Sequence, residues 1–376
     1  QLIGQFGVGI YSAVMVGDKV TVESKSYKPD VPAASWESSG SGDYTVGPSE
    51  RSERGTTITL HLKEDAKDFA KKWQIKDIIR RFSSFVHFPI ELDGEKINTV
   101  QALWARNKTD ITDEEYTEFY KFIANAHDEP RYRLHFSADA PLAINALLFV
   151  PQSNFEKLGF GRMEPGVDLY CRRVLIQKHS EKLLPEWMRF VRGVVDSDDL
   201  PLNISRETMQ DSMLVKKLAK VITGRFIKHL QEESNRDPKA YQEFFAEFGR
   251  FIKEGITSDF EHKASLAKLL RFETSKTEPG ELTSLPDYVS RMKEGQEDII
   301  YINGPSREAI EAGPYVEALL KHGYEVIYNF DQIDDFVFDN LHEFEDKHLK
   351  SADSADLKVP ELEENPEEAL SKEDTE

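Results

Sequence analysis

The sequence has little of what would place the protein in an oxidising compartment or in a membrane. A single cysteine occurs among its 376 residues, so no intrachain disulfide can form. That cysteine, Cys171, lies in the strand-like run LYCRRVLIQ, which favours a small residue in a strand over a reactive thiol. No apolar run approaches the about 18–20 residues that a membrane span needs. We therefore expect a cytoplasmic protein without a membrane partner.

Positive charge is also scarce. Lysine and arginine total 48 against 68 aspartate and glutamate residues, which gives a net charge of −20. Such a field repels nucleic acid, so we expect no nucleic-acid partner. The ten histidines show neither HExxH nor Cys/His spacing, so we expect no metal held by these residues.

Hydrophobic periodicity outlines the first part of the chain. Residues 8–16 are apolar enough for a short buried helix, KVTVESKS resembles a strand, and a loop rich in glycine, serine and proline covers 29–55. In RGTTITLHL, alternate residues from Thr56 to Leu62 share one face, which predicts a half-buried strand. Helical spacing of apolar residues follows over 66–86. We place a first domain boundary near residue 95, just after the turn signal Asp93-Gly94.

The remainder alternates between helical and strand patterns until a charged tail begins near 341. The expected elements are a helix at 113–126, strands near 131–137, 144–150 and 168–177, a helix at 182–192, a long helix from near Ser205, further helices over 238–272, the strand IIYING, a helix at 306–321 broken at Pro314, and the strand YEVIYNF. The last three form a βαβ unit, which favours parallel pairing. The acidic tail ELEENPEEALSKEDTE has the composition of a disordered or linking segment.

A glycine-rich stretch at the beginning, GQFGVGIYSA, has the chemistry of an anion-binding loop. Its glycines run G-x-x-G-x-G, which matches neither the P-loop nor the dinucleotide fingerprint. Gly7 and Gly9 would allow positive φ and close approach of a ligand, and the helix that follows offers unpaired N–H groups. Taken alone, this pattern favours a tight turn entering a core helix over a phosphate loop.

Several stretches together closely resemble one family. GQFGVGIYSA, RGTTITLHLK, LWARNKTDIT, RGVVDSDDLPLNISRETMQ and KLLRFETSKTEPGELTSLPDYVSRM occur in this order. They resemble the heat shock protein 90 chaperones in their bacterial HtpG form, and FYKFIANAHDEPRYRLHF is similar to the mitochondrial paralogue. The resemblance extends to about residue 345.

The resemblance implies an α+β, α/β multidomain architecture. Residues 1–95 would be the C-terminal part of a split-ATPase α/β sandwich of the gyrase, MutL and histidine-kinase kind. Residues 96–340 would be an α/β middle domain that carries a catalytic arginine and binds clients. Residues 341–376 would lead into a dimerisation domain. On this interpretation the sequence is a fragment, without the family's general-base glutamate, its magnesium-binding asparagine and its Asp-x-Gly-x-Gly adenine site.

The resemblance also assigns roles to particular residues. Main-chain N–H groups of the glycine segment would close on the phosphates of ATP, and this segment comprises Gln5, Phe6, Gly7, Val8, Gly9 and Ile10. Ile10 replaces the aromatic residue usual in the family. Thr56 would lie beside the adenine. Arg206 would reach the γ-phosphate, with Gln210 as its polar companion.

Arg206 also stands out without the resemblance. It falls in the first turn of an expected helix, where the dipole disfavours a cation, and Gln210 lies four residues on, on the same face. An arginine held there could stabilise charge on a transferring phosphoryl group. The alternative is a salt bridge with Asp198 or Asp199, which is the better interpretation until the family is considered.

The function implied is an ATP-dependent molecular chaperone, active in the stress response, that binds partly folded clients and works as a homodimeric clamp. ATP and Mg²⁺ would be its cofactors, with the magnesium ligand outside this chain, and the fragment alone would be inactive. Two rivals remain: a non-catalytic client- or co-chaperone-binding module, and another split ATPase such as a topoisomerase or mismatch-repair subunit. Trp104 could be an exposed client-binding aromatic, but packing is the better interpretation.

Overall fold

Secondary structure in the first hundred residues centres on an antiparallel sheet. The computed structural model describes residues 7–98, 100–159, 161–200, 212–354 and 357. Up to residue 105 the elements are α1 (Gly9–Val16), β1 (Gly17–Lys25), β2 (Ala34–Ser38), β3 (Thr45–Pro48), β4 (Gly55–Leu62), a 3₁₀ helix (Glu64–Ala70), α2 (Lys72–Phe82), β5 (Glu91–Leu92), β6 (Glu95–Lys96) and a 3₁₀ turn (Leu103–Ala105).

The next hundred residues contain two strand hairpins. Their elements are a 3₁₀ turn (Lys108–Asp110), α3 (Asp113–Ala124), β7 (Tyr132–Ala138), β8 (Ile144–Val150), a 3₁₀ helix (Phe155–Leu158), β9 (Gly166–Cys171), β10 (Val174–Gln177), a 3₁₀ turn (Glu186–Met188) and β11 (Arg192–Asp196).

Two long helices, several short ones and a mixed sheet make up the rest. These elements are α4 (Ser212–Arg236), α5 (Pro238–Ser258), α6 (Lys263–Ala267), β12 (Glu273–Thr274), α7 (Leu285–Ser290), β13 (Asp298–Asn303), α8 (Arg307–Glu311), α9 (Pro314–Lys321), β14 (Ile327–Asn329), α10 (Gln332–Leu341), β15 (Glu343–Phe344) and β16 (Lys347–Ser351).

Contacts divide the chain into two compact units. Unit 1 comprises residues 1–105, 169–178 and 196–211, and unit 2 comprises 106–168, 179–195 and 212–376. Among the described residues, no helix has both the length and the apolar character that crossing a membrane requires.

In unit 1 the strands run in the order β3-β2-β1-β4, and every neighbouring pair is antiparallel. Val22 lies opposite Trp36 on one side and Ile58 on the other. The prediction of strands at KVTVESKS and RGTTITLHL is confirmed. The prediction of a loop over 29–55 is wrong, because β2 and β3 form there by hydrogen bonding across the sheet in spite of their glycine- and serine-rich surroundings.

Burial in unit 1 differs from expectation. We predicted a buried helix at 8–16 and a half-buried strand at β4, but Tyr11 and Met15 of α1 are 68% and 76% exposed, and Ile58 is 56% exposed. The helix and the strand both form, so the local patterns are sound. The described residues provide no second layer over these faces, and periodicity alone cannot supply one.

In unit 2, α3 and the β7-β8 hairpin form close to where the sequence places them. The Thr112 side chain accepts a hydrogen bond from the Glu115 amide, and Glu115 accepts one from the Thr112 amide, so a capping box starts α3. Strands β7 and β8 pair antiparallel from Tyr132↔Val150 to Ala138↔Ile144.

Two predictions between 168 and 192 are wrong. The single strand at 168–177 is a hairpin of β9 and β10, whose turn residues Arg172 and Arg173 have φ of 51° and 65°. The helix at 182–192 is a 3₁₀ turn at Glu186–Met188 followed by β11. Pro185 cannot continue a helix, since it has no N–H and its ring clashes with the preceding turn.

Aromatic side chains fill the centre of unit 2. Phe190 packs against four of them at ring-centroid distances between 4.9 and 6.2 Å, namely Phe226, Phe244, Phe248 and Phe251. Three of these lie on one face of α5, where spacing of three and four residues produces a continuous apolar stripe. This cluster anchors α4 and α5.

The C-terminal sheet of unit 2 has the order β12-β14-β13-β16-β15. Strand β13 pairs in parallel with β14, which confirms the predicted βαβ unit, and the helix between them breaks at Gly313-Pro314 as expected. Strand β13 also pairs in parallel with β16. The sheet therefore extends to Ser351, beyond residue 340, where the sequence suggested that the acidic lead-in begins. Residues 361–376 lie outside the described part of the chain.

Candidate functional site: an anion-binding helix start and a buried carboxylate

The glycine stretch leads directly into the N-terminus of α1. Gly7 has φ of 64°, in the left-handed region that favours glycine, and a Cβ added to it would meet no atom within 4 Å. Val8 is the N-cap residue, and its side chain makes no capping hydrogen bond. The first turn contains no acidic residue. The amide groups at this helix start are therefore not occupied by a side-chain cap.

This arrangement suits an anion. The first N–H groups of a helix lack intrahelical acceptors and lie at the positive end of its dipole. A phosphate that approached the open side of Gly7 could accept hydrogen bonds from them. One detail differs from the sequence-based prediction: Gly9 is the first residue of α1 and does not adopt positive φ. Of the two described glycines of this stretch, Gly7 is the one that requires the conformational freedom of glycine.

Thr56 lies near the beginning of β4 and is exposed. Its hydroxyl lies 2.8 Å from the hydroxyl of Ser24, its cross-strand neighbour on β1. Helix α1 joins β1 at Gly17, which pairs with Leu62 at the other end of β4. The stretch of β1 from Gly17 to Ser24 spans about 23 Å at the usual strand rise. Thr56 and the end of α1 thus lie at opposite ends of the sheet.

Four of the residues assigned to the site lie outside the described part of the chain. They are Gln5 and Phe6 before the helix start, and Arg206 and Gln210 between Leu200 and Ser212. Their assigned roles stay predictions.

The chain that leads toward Arg206 is anchored in unit 1 by a buried carboxylate. Asp196 Oδ2 accepts hydrogen bonds from Trp104 Nε1 at 2.9 Å and from the Arg173 amide at 3.0 Å. The next residue, Ser197, donates its amide to the Tyr170 carbonyl oxygen at 3.2 Å. Burial raises the pKa of the Asp196 carboxyl, although both hydrogen bonds favour its charged form.

Trp104 is fully buried, so the packing interpretation is confirmed for this residue. Its ring centroid lies 4.7 Å from that of Phe85 and 5.1 Å from that of Tyr170. Sequence reasoning identified Trp104 but missed its hydrogen bond to Asp196. The block VVDSDDL contains three aspartates, and only the position of Asp196 directly after the apolar run VV hints that it is the buried one.

The described residues contain no group of three or more histidine, cysteine, aspartate or glutamate side chains placed to hold a metal ion. Of the residues that the sequence assigns to a phosphate site, the described ones form the open helix start at Gly7–Ile10. Cys171 is buried, as expected for a small residue in a strand.

Comparison with known proteins identifies the class. A family model described as "Hsp90 protein" matches residues 91–376. The chain therefore belongs to the Hsp90 family, and the recognition made from its motifs is confirmed.

Sequence identity to individual proteins supports the same family assignment. The chain is 59% identical over 358 residues to the chaperone protein HtpG of Desulfitobacterium hafniense, an alignment covering 95% of this chain and 58% of that protein. It is 57% identical to the HtpG of Desulfotalea psychrophila, covering 95% and 57%. The mitochondrial TNF receptor-associated protein 1 homolog of Dictyostelium discoideum is 45% identical, covering 94% and 50%. The chain thus spans somewhat more than half the length of the HtpG relatives it matches.

Proposed function

We propose that this chain is part of an ATP-dependent molecular chaperone of the HtpG kind, which binds partly folded proteins and closes as a homodimeric clamp when nucleotide binds. The observation that carries the proposal is the open helix start at Gly7–Ile10, in a chain that belongs to the Hsp90 family and is 59% identical to a chaperone named HtpG. Residues 1–95 would belong to a split-ATPase domain and 96–340 to the middle domain. The protein would act in the cytoplasm during the stress response.

Each residue would contribute one physical step. The amides at Gly7–Ile10, with those of Gln5 and Phe6, would hold phosphate oxygens by hydrogen bonds and by the dipole of α1. Thr56 would lie beside the adenine. Arg206 would stabilise negative charge on the γ-phosphate, and Gln210 would orient it. When bound, ATP with Mg²⁺ supplies the phosphoanhydride bond that water cleaves, and we propose that the magnesium ligand comes from outside these residues.

Buried groups would position the arginine. The bonds from Trp104 and Arg173 to Asp196 fix the chain up to Ser197, and Leu200 is also buried. A side chain that must reach a γ-phosphate loses less entropy if the backbone preceding it is already ordered.

The test is Arg206→Ala in the complete protein. We expect ATP turnover to fall by about 10²-fold or more, because a charge-stabilising group acts mainly on the transition state. The dissociation constant for ATP should change by less than about threefold. Steady-state turnover and calorimetric affinity measure the two quantities, and Lys216→Ala, on α4, is the matched control. Unchanged turnover would remove Arg206 from the proposal.

A non-catalytic client-binding module is the second candidate. It is supported by exposed aromatic side chains in unit 2, of which Phe260 and Phe336 are the most exposed. Calorimetry of the 376-residue chain with ATP separates the two interpretations of this segment. Absence of binding, with retained binding of a partly folded protein, would support a client-binding role for these residues alone. Tight ATP binding would contradict the proposal that the nucleotide site needs residues outside the chain.

A further inference from the structure

Unit 2 contains a polar cavity that the proposed function does not use. It has a volume of about 610 Å³ and lies among the end of α4, the start of α5, the residues after α6 and the start of α7. Three cationic side chains line it, Lys239, Lys268 and Arg271, together with the carboxylates of Glu281, Asp287 and Glu345. Which of these charges are already neutralised by a neighbour decides what the cavity can bind.

Arg271 forms a rigid part of the cavity wall. Its guanidinium carbon lies 4.5 Å from the ring centroid of Tyr241, which is fully buried and donates its hydroxyl to the Leu269 carbonyl oxygen at 2.8 Å. Arg271 Nη1 donates to the carbonyl oxygens of Lys268 and Leu270 at 3.1 and 2.8 Å. Stacking on one face and hydrogen bonds at one nitrogen fix the plane of the guanidinium.

Within the described part of the chain, this guanidinium has no counter-ion. None of the described carboxylates lies at ion-pair distance from Arg271, and Asp287 acts on it only at longer range while accepting a hydrogen bond from Ser284 Oγ at 2.6 Å. Burial lowers the pKa of Arg271, which nevertheless remains charged. The Nε and Nη2 atoms find no hydrogen-bond acceptor among the described residues, so one two-donor edge is left over.

Another stacked arginine in unit 2, Arg307, shows how such a guanidinium is usually neutralised. The guanidinium of Arg307 stacks on Tyr328 at 5.2 Å, in the same way, but it also pairs with Glu273 at 3.0 Å and with Glu311 at 2.9 Å. A buried or half-buried cation is normally compensated in this manner, since desolvation of an unpaired charge is costly. Arg271 departs from that rule at the wall of a cavity.

The formal charges of the lining balance, three cations against three carboxylates, but they are not paired evenly. Glu345 lies 3.8 Å from Lys268, and Glu281 accepts a hydrogen bond from the Glu278 amide. Lys239 forms no ion pair with the described residues and lies in the first turn of α5, where the dipole disfavours a cation. Lys239 and Arg271 are therefore two cations of the cavity that form no ion pair with the described residues, so both are available to an anion.

We propose that this cavity binds a small oxyanion, whose phosphate or carboxylate group accepts two hydrogen bonds from the Nε–Nη2 edge of Arg271 and an ion pair from Lys239. A planar two-donor edge matches the geometry of both groups. The cavity is large enough for a metabolite-sized phosphomonoester or dicarboxylate. The inference is independent of the proposed nucleotide site, since it rests on residues of unit 2 alone.

The experiment uses the 376-residue chain, with inorganic phosphate and succinate as probes. Each is titrated by calorimetry and by thermal unfolding at constant ionic strength, with chloride as the reference anion. A ligand that binds the folded state raises the unfolding temperature. We expect at least one probe to do so, and Arg271→Gln to weaken its binding by about tenfold or more, as loss of a bidentate pair does. Arg271→Lys should give an intermediate loss, because it keeps the charge without the edge.

Two further variants keep the test decisive. Arg271→Gln also removes the bonds to two carbonyls and could unfold the region, whereas Lys239→Gln changes only an exposed side chain. Lys239→Gln should weaken binding by about two- to fivefold without altering the unfolding temperature in chloride. Lys321→Gln, at an exposed pair on α9, is the matched control and should change nothing.

The relative affinities of the two probes identify the class of ligand. Tighter binding of phosphate identifies a phosphomonoester as the ligand class, and tighter binding of succinate identifies a carboxylate. The proposal is overturned if neither probe binds more tightly than chloride, or if binding survives both Arg271→Gln and Lys239→Gln. Because phosphate could also bind at Gly7–Ile10, the dependence on Arg271 is what locates the site.

Discussion

The two units use similar local patterns with different results. In unit 1, β4 alternates apolar and polar residues, yet Ile58 and Leu60 remain 56% and 37% exposed. In unit 2, Ile299 and Ile300 of β13 are both buried, because the strand is paired on both sides and packed against helices. Alternation thus specifies which residues share a face, while burial depends on a second layer that the strand itself does not encode.

The largest loss of stability is expected from a substitution at the centre of unit 2. Phe190→Ala should lower the free energy of unfolding by about 3–5 kcal/mol, because it leaves a cavity among four packed rings. Chemical denaturation monitored by aromatic fluorescence measures it. If unit 2 tolerates the change with a loss below about 1 kcal/mol, its core is not the closely packed cluster described.

A buried charge gives the second test. Arg189 bridges two glutamates, with Nε 2.7 Å from Glu156 and Nη1 2.6 Å from Glu254, and its side chain is almost completely buried. Burial raises the pKa of Glu156, but the hydrogen bonds from Arg189 and from the Met163 amide, together with the positive charges of Arg189 and Arg162, hold it below its usual range. Arg189→Met should cost about 3 kcal/mol or more, since two carboxylates lose their counter-ion.

Arg162 provides the matched control for Arg189. It pairs with Glu186 at 2.6 Å, but both side chains are exposed. Arg162→Met should therefore change the free energy of unfolding by less than about 1 kcal/mol. Equal effects of the two substitutions would show that burial does not set the strength of these pairs.

Asp196 gives a smaller, pH-dependent effect in unit 1. Burial raises the pKa of the Asp196 carboxyl in the folded protein above its ordinary value of 3.8. Protonation of this carboxyl therefore stabilises the folded state; the stabilisation is fully present at a pH below 3.8 and is lost as the pH rises through the folded pKa. Asp196→Asn keeps an oxygen that can accept from Trp104 and Arg173 but does not titrate. The free energy of unfolding of the wild type should therefore rise relative to that of Asp196→Asn when the pH is lowered from 7 to 4. The expected change in this difference is on the order of 1 kcal/mol. A constant difference, or a shift toward the variant, would contradict this account.

The smallest effect is expected on the exposed face of unit 1. Ile58→Thr keeps β-branching and should change the free energy of unfolding of the 376-residue chain by no more than about 0.5 kcal/mol. The same denaturation experiment measures it. A loss of about 2 kcal/mol would mean that this face is covered in solution.

Much of the fold follows from local chemistry, and the failures have local causes. The break at Gly313-Pro314 was predictable, because proline fixes φ and cannot donate within a helix. The parallel β13-β14 pair follows from a strand, helix, strand order. The turn between β9 and β10 carries no such signal, since Arg172 and Arg173 adopt positive φ where glycine or asparagine is usual.

The candidate site was predictable only in part. The glycine pattern correctly indicated a helix start, and Gly7 has the positive φ that such a loop requires. The exposure of α1 could not be predicted, because it depends on what packs over a helix and not on the helix itself. Asp196 carried no distinctive motif, and its importance appears only when Trp104, far away in sequence, is brought beside it.

The most direct test of the central claim compares ATP with adenosine in the complete protein. If Gly7 positions phosphates, Gly7→Ala should weaken ATP binding by about tenfold, because positive φ strains alanine, and leave adenosine binding unchanged. Gly42→Ala, another positive-φ glycine with open space around it, is the control and should change neither affinity. Calorimetry that shows equal affinity of wild type and Gly7→Ala for ATP, or equal losses for ATP and adenosine, would contradict the phosphate-loop assignment.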